Sequence, residues 1–177
     1  MTNFDVADNS ENRVIDAALD PSATHLVTWD YVFSLYNIKS VLEFGCGLYS
    51  TPEFLRRGCT VTAIEMQNKG WAKRVKEAKP VVDIKIAIGP LTWRKLKLKK
   101  WYDLIFVDGH GDTRPECMEW AKDRTNLIVA HDTEHPYYQW ARANMDGFAE
   151  VLFNQITPTT TLWYRKDNMD NERNSVA

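Results

Sequence analysis

Residues 41–51 read VLEFGCGLYST. Val41, Leu42 and Phe44 are apolar, as a strand covered on both faces of a parallel sheet requires. Gly45 and Gly47 follow at once. Lacking a Cβ, a glycine takes backbone conformations closed to other residues and lets a ligand approach the chain. Ser50-Thr51-Pro52-Glu53 then opens a helix. Thr51 suits the N-cap, Pro52 the first turn, and Glu53 the positive end of the helix dipole. Strand, glycine turn and helix start make the first turn of a doubly wound α/β domain, where ligands bind beyond the carboxyl ends of the strands. Glu43 interrupts the apolar strand. A buried carboxylate needs hydrogen bonds, and this one is placed to orient the glycine turn or to hold an ammonium group.

The 177 residues suffice for one domain with its own core. The formal charge of −2 gives no global case for nucleic-acid binding. Cys46, Cys59 and Cys117 are an odd number without metal-type spacing, which reads as reduced thiols in a cytoplasmic protein. The opening MTNFDVADNSENR is polar and acidic, unlike a signal peptide, and no apolar run is long enough to span a bilayer. Residues 1–20 are expected to be a mobile segment, 21–166 a single domain, and 167–177 a polar tail.

Working outward, Arg13–Leu19 predicts a short helix before Asp20-Pro21. A stripe of Leu26, Trp29, Tyr31, Val32, Phe33, Leu35 and Tyr36 predicts a helix from Ser22 to about Asn37, packed on the sheet and able to cover a ligand. Strand one spans about 41–44, and its helix runs to Arg57 with Gly58 as the stop. Cys59 to Glu65 alternates like a strand. An acidic residue at its end, about twenty positions after the glycine turn, is the ribose-hydroxyl ligand this architecture uses. Asn68–Lys79 predicts a helix, and Val82–Ile88 strand three. The stretch 91–101 carries Arg94, Lys95, Lys97, Lys99 and Lys100, which suits a solvated face or a local patch for an anion. Strand four is Asp103–Val107, with a helix over Arg114–Asp123. Strand five is Asn126–Ala130, with a helix from Pro136 to about Met145. Phe148–Gln155 and Thr159–Tyr164 predict a terminal antiparallel hairpin.

Strands four and five end in Asp108-Gly109-His110 and His131-Asp132-Thr133-Glu134-His135. As neighbours, they bring these side chains to the same crevice as the glycine turn. Asp108, His131 and Asp132 make a candidate site for a hard divalent cation such as Mg²⁺ or Mn²⁺. His110 and His135 could add ligands or act as general bases, because imidazole titrates near neutral pH.

The pattern Glu43-x-Gly45-x-Gly47 resembles motif I of the class I S-adenosylmethionine-dependent methyltransferases. It is less similar to the dinucleotide fingerprint, whose third glycine is replaced by Ser50. WYDLIFVDGH at 101–110 and LIVAHDTEHP at 127–136 resemble the subgroup with DLIFIDG-x-H and HDT-x-H motifs. That subgroup is similar to small-molecule O-methyltransferases and to the cephalosporin hydroxylase and macrocin methyltransferase families. The likeness covers roughly 41–140 and implies a Rossmann-like, seven-stranded, mostly parallel sheet. It implies S-adenosylmethionine as cofactor, held by Glu43, Gly45, Cys46, Gly47, Tyr49, Ser50, Glu65, Met66, Gly89 and Asp108. The Gly45–Gly47 turn would take the methionine part and Glu65 the ribose. Asp108, His131 and Asp132 match the metal-ligand positions of catechol-type enzymes, and Asp108, His110, His131 and His135 are the catalytic candidates.

Three departures stand out. Pro90 follows Gly89 where an acid usually binds the adenine amine, Gly111 stands where catechol-type enzymes carry a basic Lys, and His131 replaces a carboxylate. The reading is an enzyme that methylates an oxygen of a small molecule or sugar. The alternatives are an RNA or other nucleic-acid methyltransferase using the Arg94–Lys100 patch, and an inactive cofactor-binding module. A further alternative is an enzyme that spends the same cofactor differently. The sequence does not name the acceptor or an oligomeric state.

Overall fold

The strands predicted from residue 41 onward join into one sheet in the computed structural model, which describes residues 20–89 and 91–168. The strands are β1 (Ser40–Phe44), β2 (Thr60–Glu65), β3 (Asp83–Ile86), β4 (Leu104–Val107), β5 (Leu127–His131), β6 (Phe148–Phe153) and β7 (Thr160–Arg165). Their order is β3-β2-β1-β4-β5-β7-β6. β1 to β5 are parallel, while β7 runs antiparallel to both β5 and β6. The doubly wound sheet with a terminal hairpin is therefore as expected. The short helix expected over Arg13–Leu19 and nearly all of the two terminal segments lie outside the described residues.

Among the described residues five α-helices cover the sheet: α1 (Leu26–Leu35), α2 (Ser50–Arg56), α3 (Lys69–Ala78), α4 (Arg114–Ala121) and α5 (Tyr137–Ala143). Alternation along the strands sends side chains to two cores. Val41, Ala63, Phe106 and Val129 meet α1, α2 and α3 on one face. Leu42, Phe44, Ile105, Val107 and Ile128 meet α4 and α5 on the other. Trp29 of α1 is fully buried, with its ring 4.7 Å from Phe54 and 5.0 Å from Phe106. That burial makes α1 a sheet-covering helix. No helix among the described residues is long and apolar enough to cross a membrane.

Local corrections have local causes. Thr51 is not the N-cap of α2. The helix begins at Ser50, after Tyr49, and the Thr51 hydroxyl is engaged elsewhere. The helix expected from Asn68 starts one residue later, because Asn68 caps α3 and accepts from the amides of Gly70 and Trp71 at 2.8 and 3.3 Å. Between β3 and β4 the only helical element among the described residues is a 3₁₀ turn at Thr92–Lys95. Leucine and lysine alternate from Leu96 to Lys99. Leu96 and Leu98 pack on the second core while Lys97 and Lys99 are exposed, which is an extended rather than a helical period. All three cysteines are free and buried. Burial pushes their thiols up, that of Cys59 to about 11.

The loops after β1 and β4 are fastened to each other by backbone. The amide of Asp108 donates to the carbonyl of Phe44 at 2.8 Å, and that of Gly45 to Ile64 at 2.8 Å. Gly45 has φ +90°, and a Cβ there would stand 2.5 Å from the Asp108 carbonyl oxygen and 2.8 Å from Gly109 Cα. Both partners are main chain and cannot swing aside. Gly45→Ala should therefore cost about 2–4 kcal/mol through strain and overpacking, read as a loss in urea-unfolding free energy. A neutral result would mean that the two loops can separate.

Candidate active site at the carboxyl edge of the sheet

Glu43 points from β1 toward α2 and is fully buried. Its two carboxylate oxygens accept from the hydroxyls of Ser50 and of Thr51, the latter at 2.5 Å. Thr51 Oγ1 in turn accepts from the amide of Gly47 at 3.1 Å. So Glu43 orients the glycine turn, one of its two expected roles, and does so through hydroxyls. Burial pushes its carboxyl up to about 8, against the pull of the two hydrogen bonds.

Glu65 ends β2, as expected, and is buried. One carboxylate oxygen accepts from the amides of Gln67 and Asn68 at 2.8 and 2.9 Å. The other receives the Cys46 thiol at 3.3 Å. The Cys46 carbonyl is held by Trp71 Nε1 at 2.5 Å. Around the turn, Met66 is buried with its methyl group against Gly109, and the Tyr49 hydroxyl donates to Asp20 at 2.7 Å. Gly89 closes β3's loop, its carbonyl accepting from the Thr92 hydroxyl at 2.9 Å. Among the described residues the amide of Leu48 donates to no acceptor, and that of Cys46 meets only its own sulfur. Turn amides beside a strand-end carboxylate suit a ligand that carries both a carboxylate and a diol.

The ends of β4 and β5 converge as the sequence predicts, but around a residue it did not single out. Arg114, at the start of α4, is 8% exposed in its side chain. Its Nε donates to the Gly109 carbonyl at 2.8 Å. Nη1 donates to the His131 carbonyl and to Asp132 Oδ2, each at 2.7 Å, and Nη2 to Asp108 Oδ1 at 3.1 Å. Asp132 takes φ +58° on the way, a left-handed conformation that aspartate tolerates better than most residues.

His131 lies beneath both acids. Its Nε2 is 2.6 Å from Thr24 Oγ1, whose own proton goes to the Pro158 carbonyl at 2.8 Å. Nε2 is therefore the donor to Thr24. Nδ1 faces Asp108 Oδ1 at 3.2 Å and Asp132 Oδ1 at 3.4 Å. Burial works against the imidazolium, but the bond to Asp108 and the two carboxylate charges outweigh it and raise the His131 pKa. With both nitrogens engaged, His131 positions Asp108 and is not a free base. Both bonds to Asp108 fall on Oδ1, and its side chain keeps 22% of its surface exposed, with Oδ2 in no hydrogen bond among the described residues.

His110 and His135 are exposed at the rim. His135 stacks on Tyr137 with 5.2 Å between centroids and 10° between planes. The Tyr137 ring lies over Gly111, where a Cβ would stand 3.4 Å from it. The two imidazole-bearing loops thus border one phenol.

For a metal, the ligand atoms that come within 4.8 Å of one another belong to His25, Asp108 and His131. Asp132 instead turns an oxygen to Arg114. The residues present fit a divalent cation poorly, because a fixed guanidinium already lies 3.1 Å from the Asp108 oxygen that His131 also uses. His25 was missed by the sequence reading. It is buried against Phe106 and His131, and neither ring nitrogen has a partner among the described residues. Burial, with the nearby His131, pushes its pKa down to about 3, so the ring is neutral.

Two measurements follow from these environments. A buried carboxyl raised to about 8 favours the protonated native state, so its contribution is full below about 4.5 and is lost as pH rises through 8. His131, also raised, acts in the same direction above about 6.5. The melting temperature of Glu43→Gln minus that of wild type should therefore grow by several degrees between pH 5 and pH 8.5, and a flat difference would refute the raised carboxyl. His25→Phe should gain about 1–2 kcal/mol in urea unfolding by removing an unpaired buried imidazole. A loss instead would show that the ring has a partner.

The chain matches no protein-family profile and no curated protein. Solved structures do share its architecture. A putative O-methyltransferase from Klebsiella pneumoniae aligns over 93% of this chain and 83% of its own, with TM-score 0.60 and 18% identity. The SAH-bound Podospora anserina methyltransferase PaMTH1 aligns over 94% and 99%, with TM-score 0.57 and 15% identity. A ribosomal protein L11 methylase from Lactobacillus delbrueckii subsp. bulgaricus aligns over 81% and 78%, with TM-score 0.59 and 14% identity. At these identities the likeness is one of fold: the chain has the seven-stranded mixed sheet and antiparallel hairpin of the class I methyltransferases.

Proposed function

We propose that this chain is an S-adenosylmethionine-dependent methyltransferase acting on an oxygen of a small molecule or sugar. The observation that carries the reading is the gathering, at one sheet edge of this fold, of turn amides at Cys46 and Leu48, the Glu65 carboxylate and Asp108. When bound, the cofactor supplies a methyl group on an electrophilic sulfonium. The amides of Cys46 and Leu48 would take its carboxylate, and the Glu65 oxygen beside Cys46 its ribose hydroxyls. Met66, Gly89 and Tyr49 border that space, while Glu43 and Ser50 hold the turn in shape. Asp108 Oδ2, with Oδ1 pinned by Arg114 and His131, would accept a hydrogen bond from the acceptor hydroxyl and so orient it. His110 or His135 at the rim would take the proton released. Arg114 already supplies the positive charge expected of Mg²⁺ or Mn²⁺ at Asp108, His131 and Asp132, and no step in this reading passes through a metal.

Calorimetry with S-adenosylmethionine and S-adenosylhomocysteine tests the proposal. Micromolar binding is expected, unchanged by Mg²⁺ or Mn²⁺. Glu65→Gln should weaken it about tenfold, as loss of a charged hydrogen bond does, and Asp108→Asn should leave it within a few-fold. No binding of either compound would refute the reading.

A further inference from the structure

Each of the other parallel crossovers lays an α-helix on the sheet: α2 between β1 and β2, α3 between β2 and β3, α4 between β4 and β5. Among the described residues the β3-to-β4 crossover lays only the 3₁₀ turn and the extended Leu96–Trp101 segment. A cleft of about 390 Å³ lies between that segment and the last turn of α4. Two indoles line it, Trp93 and Trp120, together with four cations, Arg94, Lys99, Lys100 and Arg124. Asp123 is the one carboxylate among the lining residues. This local excess of positive charge stands out in a chain of net charge −2.

Among the described residues three of these cations meet rings rather than acids. The Arg124 guanidinium lies 4.1 Å from the Trp120 ring centroid, Arg94 lies 5.5 Å from that of Trp93, and the Lys99 ammonium lies 5.9 Å from that of Tyr102. Arg124 is held in place further by Nη1, which donates to the Trp120 carbonyl at 3.1 Å. A guanidinium laid on an indole keeps its remaining N–H groups for an anion, and its outer face can stack a further planar ring. Trp93 adds a buried Nε1 with no acceptor among the described residues. The cleft is distinct from the edge that carries Asp108. Arg114 opens α4 at that edge, and Trp120 lies six residues further on, about 9 Å along the helix. The Tyr102 amide bonds the Arg124 carbonyl at 2.9 Å, which places this end at the amino ends of the strands.

We propose that this cleft binds a nucleotide unit, with its phosphate on Arg94, Lys100 and Arg124 and its base stacked on the arginine–tryptophan pairs. The same chemistry is offered by a free nucleotide and by a single RNA strand, where phosphates and stacking bases alternate. It assigns the basic stretch after β3 a ligand that the edge site does not need.

The test is tryptophan fluorescence of the whole chain titrated with uridine 5′-monophosphate, a ten-residue oligouridylate, inorganic phosphate and uridine. Each titration is run with and without saturating S-adenosylhomocysteine. Saturable quenching by the monophosphate is expected, tighter than with phosphate or uridine alone and unmoved by S-adenosylhomocysteine. The double variant Arg94→Ala/Lys100→Ala, both exposed residues, should bind at least tenfold more weakly with an unchanged melting temperature. Arg94→Glu should bind less still. A strand source gives tighter binding of the oligomer that weakens steeply with salt, and a free-nucleotide source gives equal binding of both. Either supports the cleft. The proposal is overturned by no binding, by binding that the variants leave intact, by competition from S-adenosylhomocysteine, or by inorganic phosphate binding as tightly as the nucleotide. Because S-adenosylhomocysteine binding is read in the same samples, failure here is separable from failure at the sheet edge.

Discussion

A single buried guanidinium holds the working edge of this protein together. Arg114 is nearly shut off from solvent, so most of its donors must find acceptors in the chain. It finds them on two strand ends at once, the Gly109 carbonyl and Asp108 after β4, and the His131 carbonyl and Asp132 at the end of β5. Two backbone carbonyls fix its position, and the two carboxylates are then fixed relative to it. A pair of acids this close to a buried histidine would otherwise repel each other. With the guanidinium between them, the Asp–His–Asp group is a set of compensated charges.

The rest of the edge is built by comparable ties from the other side. Glu43 turns a strand interior into a support for the next loop, because its oxygens are spent on Ser50 and Thr51, and Thr51 is spent on Gly47. Glu65 does the same for the turn after β2. The loops after β1 and β2 therefore each rest on a carboxylate rooted in the strand before them. The loops after β1 and β4 also share backbone contacts. A displacement of one is felt by the other, and this couples the glycine turn to Asp108.

What the sequence made legible is what local pattern encodes. Strand ends with apolar runs, the glycine turn, the helix that starts near Asn68 and the hairpin all follow from periodicity and from residues adjacent in the chain. Asp108, His131 and Asp132 could be placed at one edge because doubly wound topology leaves few options. Arg114 looked like an ordinary first-turn residue, and its role depends on carbonyls brought in by two strands. His25 was hidden for a similar reason. Its neighbours Phe106 and His131 are far away in sequence, and nothing near position 25 announces them. The β3-to-β4 crossover reads as a solvated face or an anion patch, and its five cations are exposed; what goes unread is the two-residue alternation of Leu96 and Leu98 that keeps the segment extended.

The thiols carry a practical consequence. Cys46, Cys59 and Cys117 are buried, and burial holds each in its protonated form. Since the thiolate is the species that reacts, maleimides and iodoacetamides should pass them by while the fold is intact. A cysteine introduced on the surface would then be the preferred point of attachment for a dye or spin probe. The native three need not be removed first, which leaves the Cys46 contact with Glu65 undisturbed in any labelled protein.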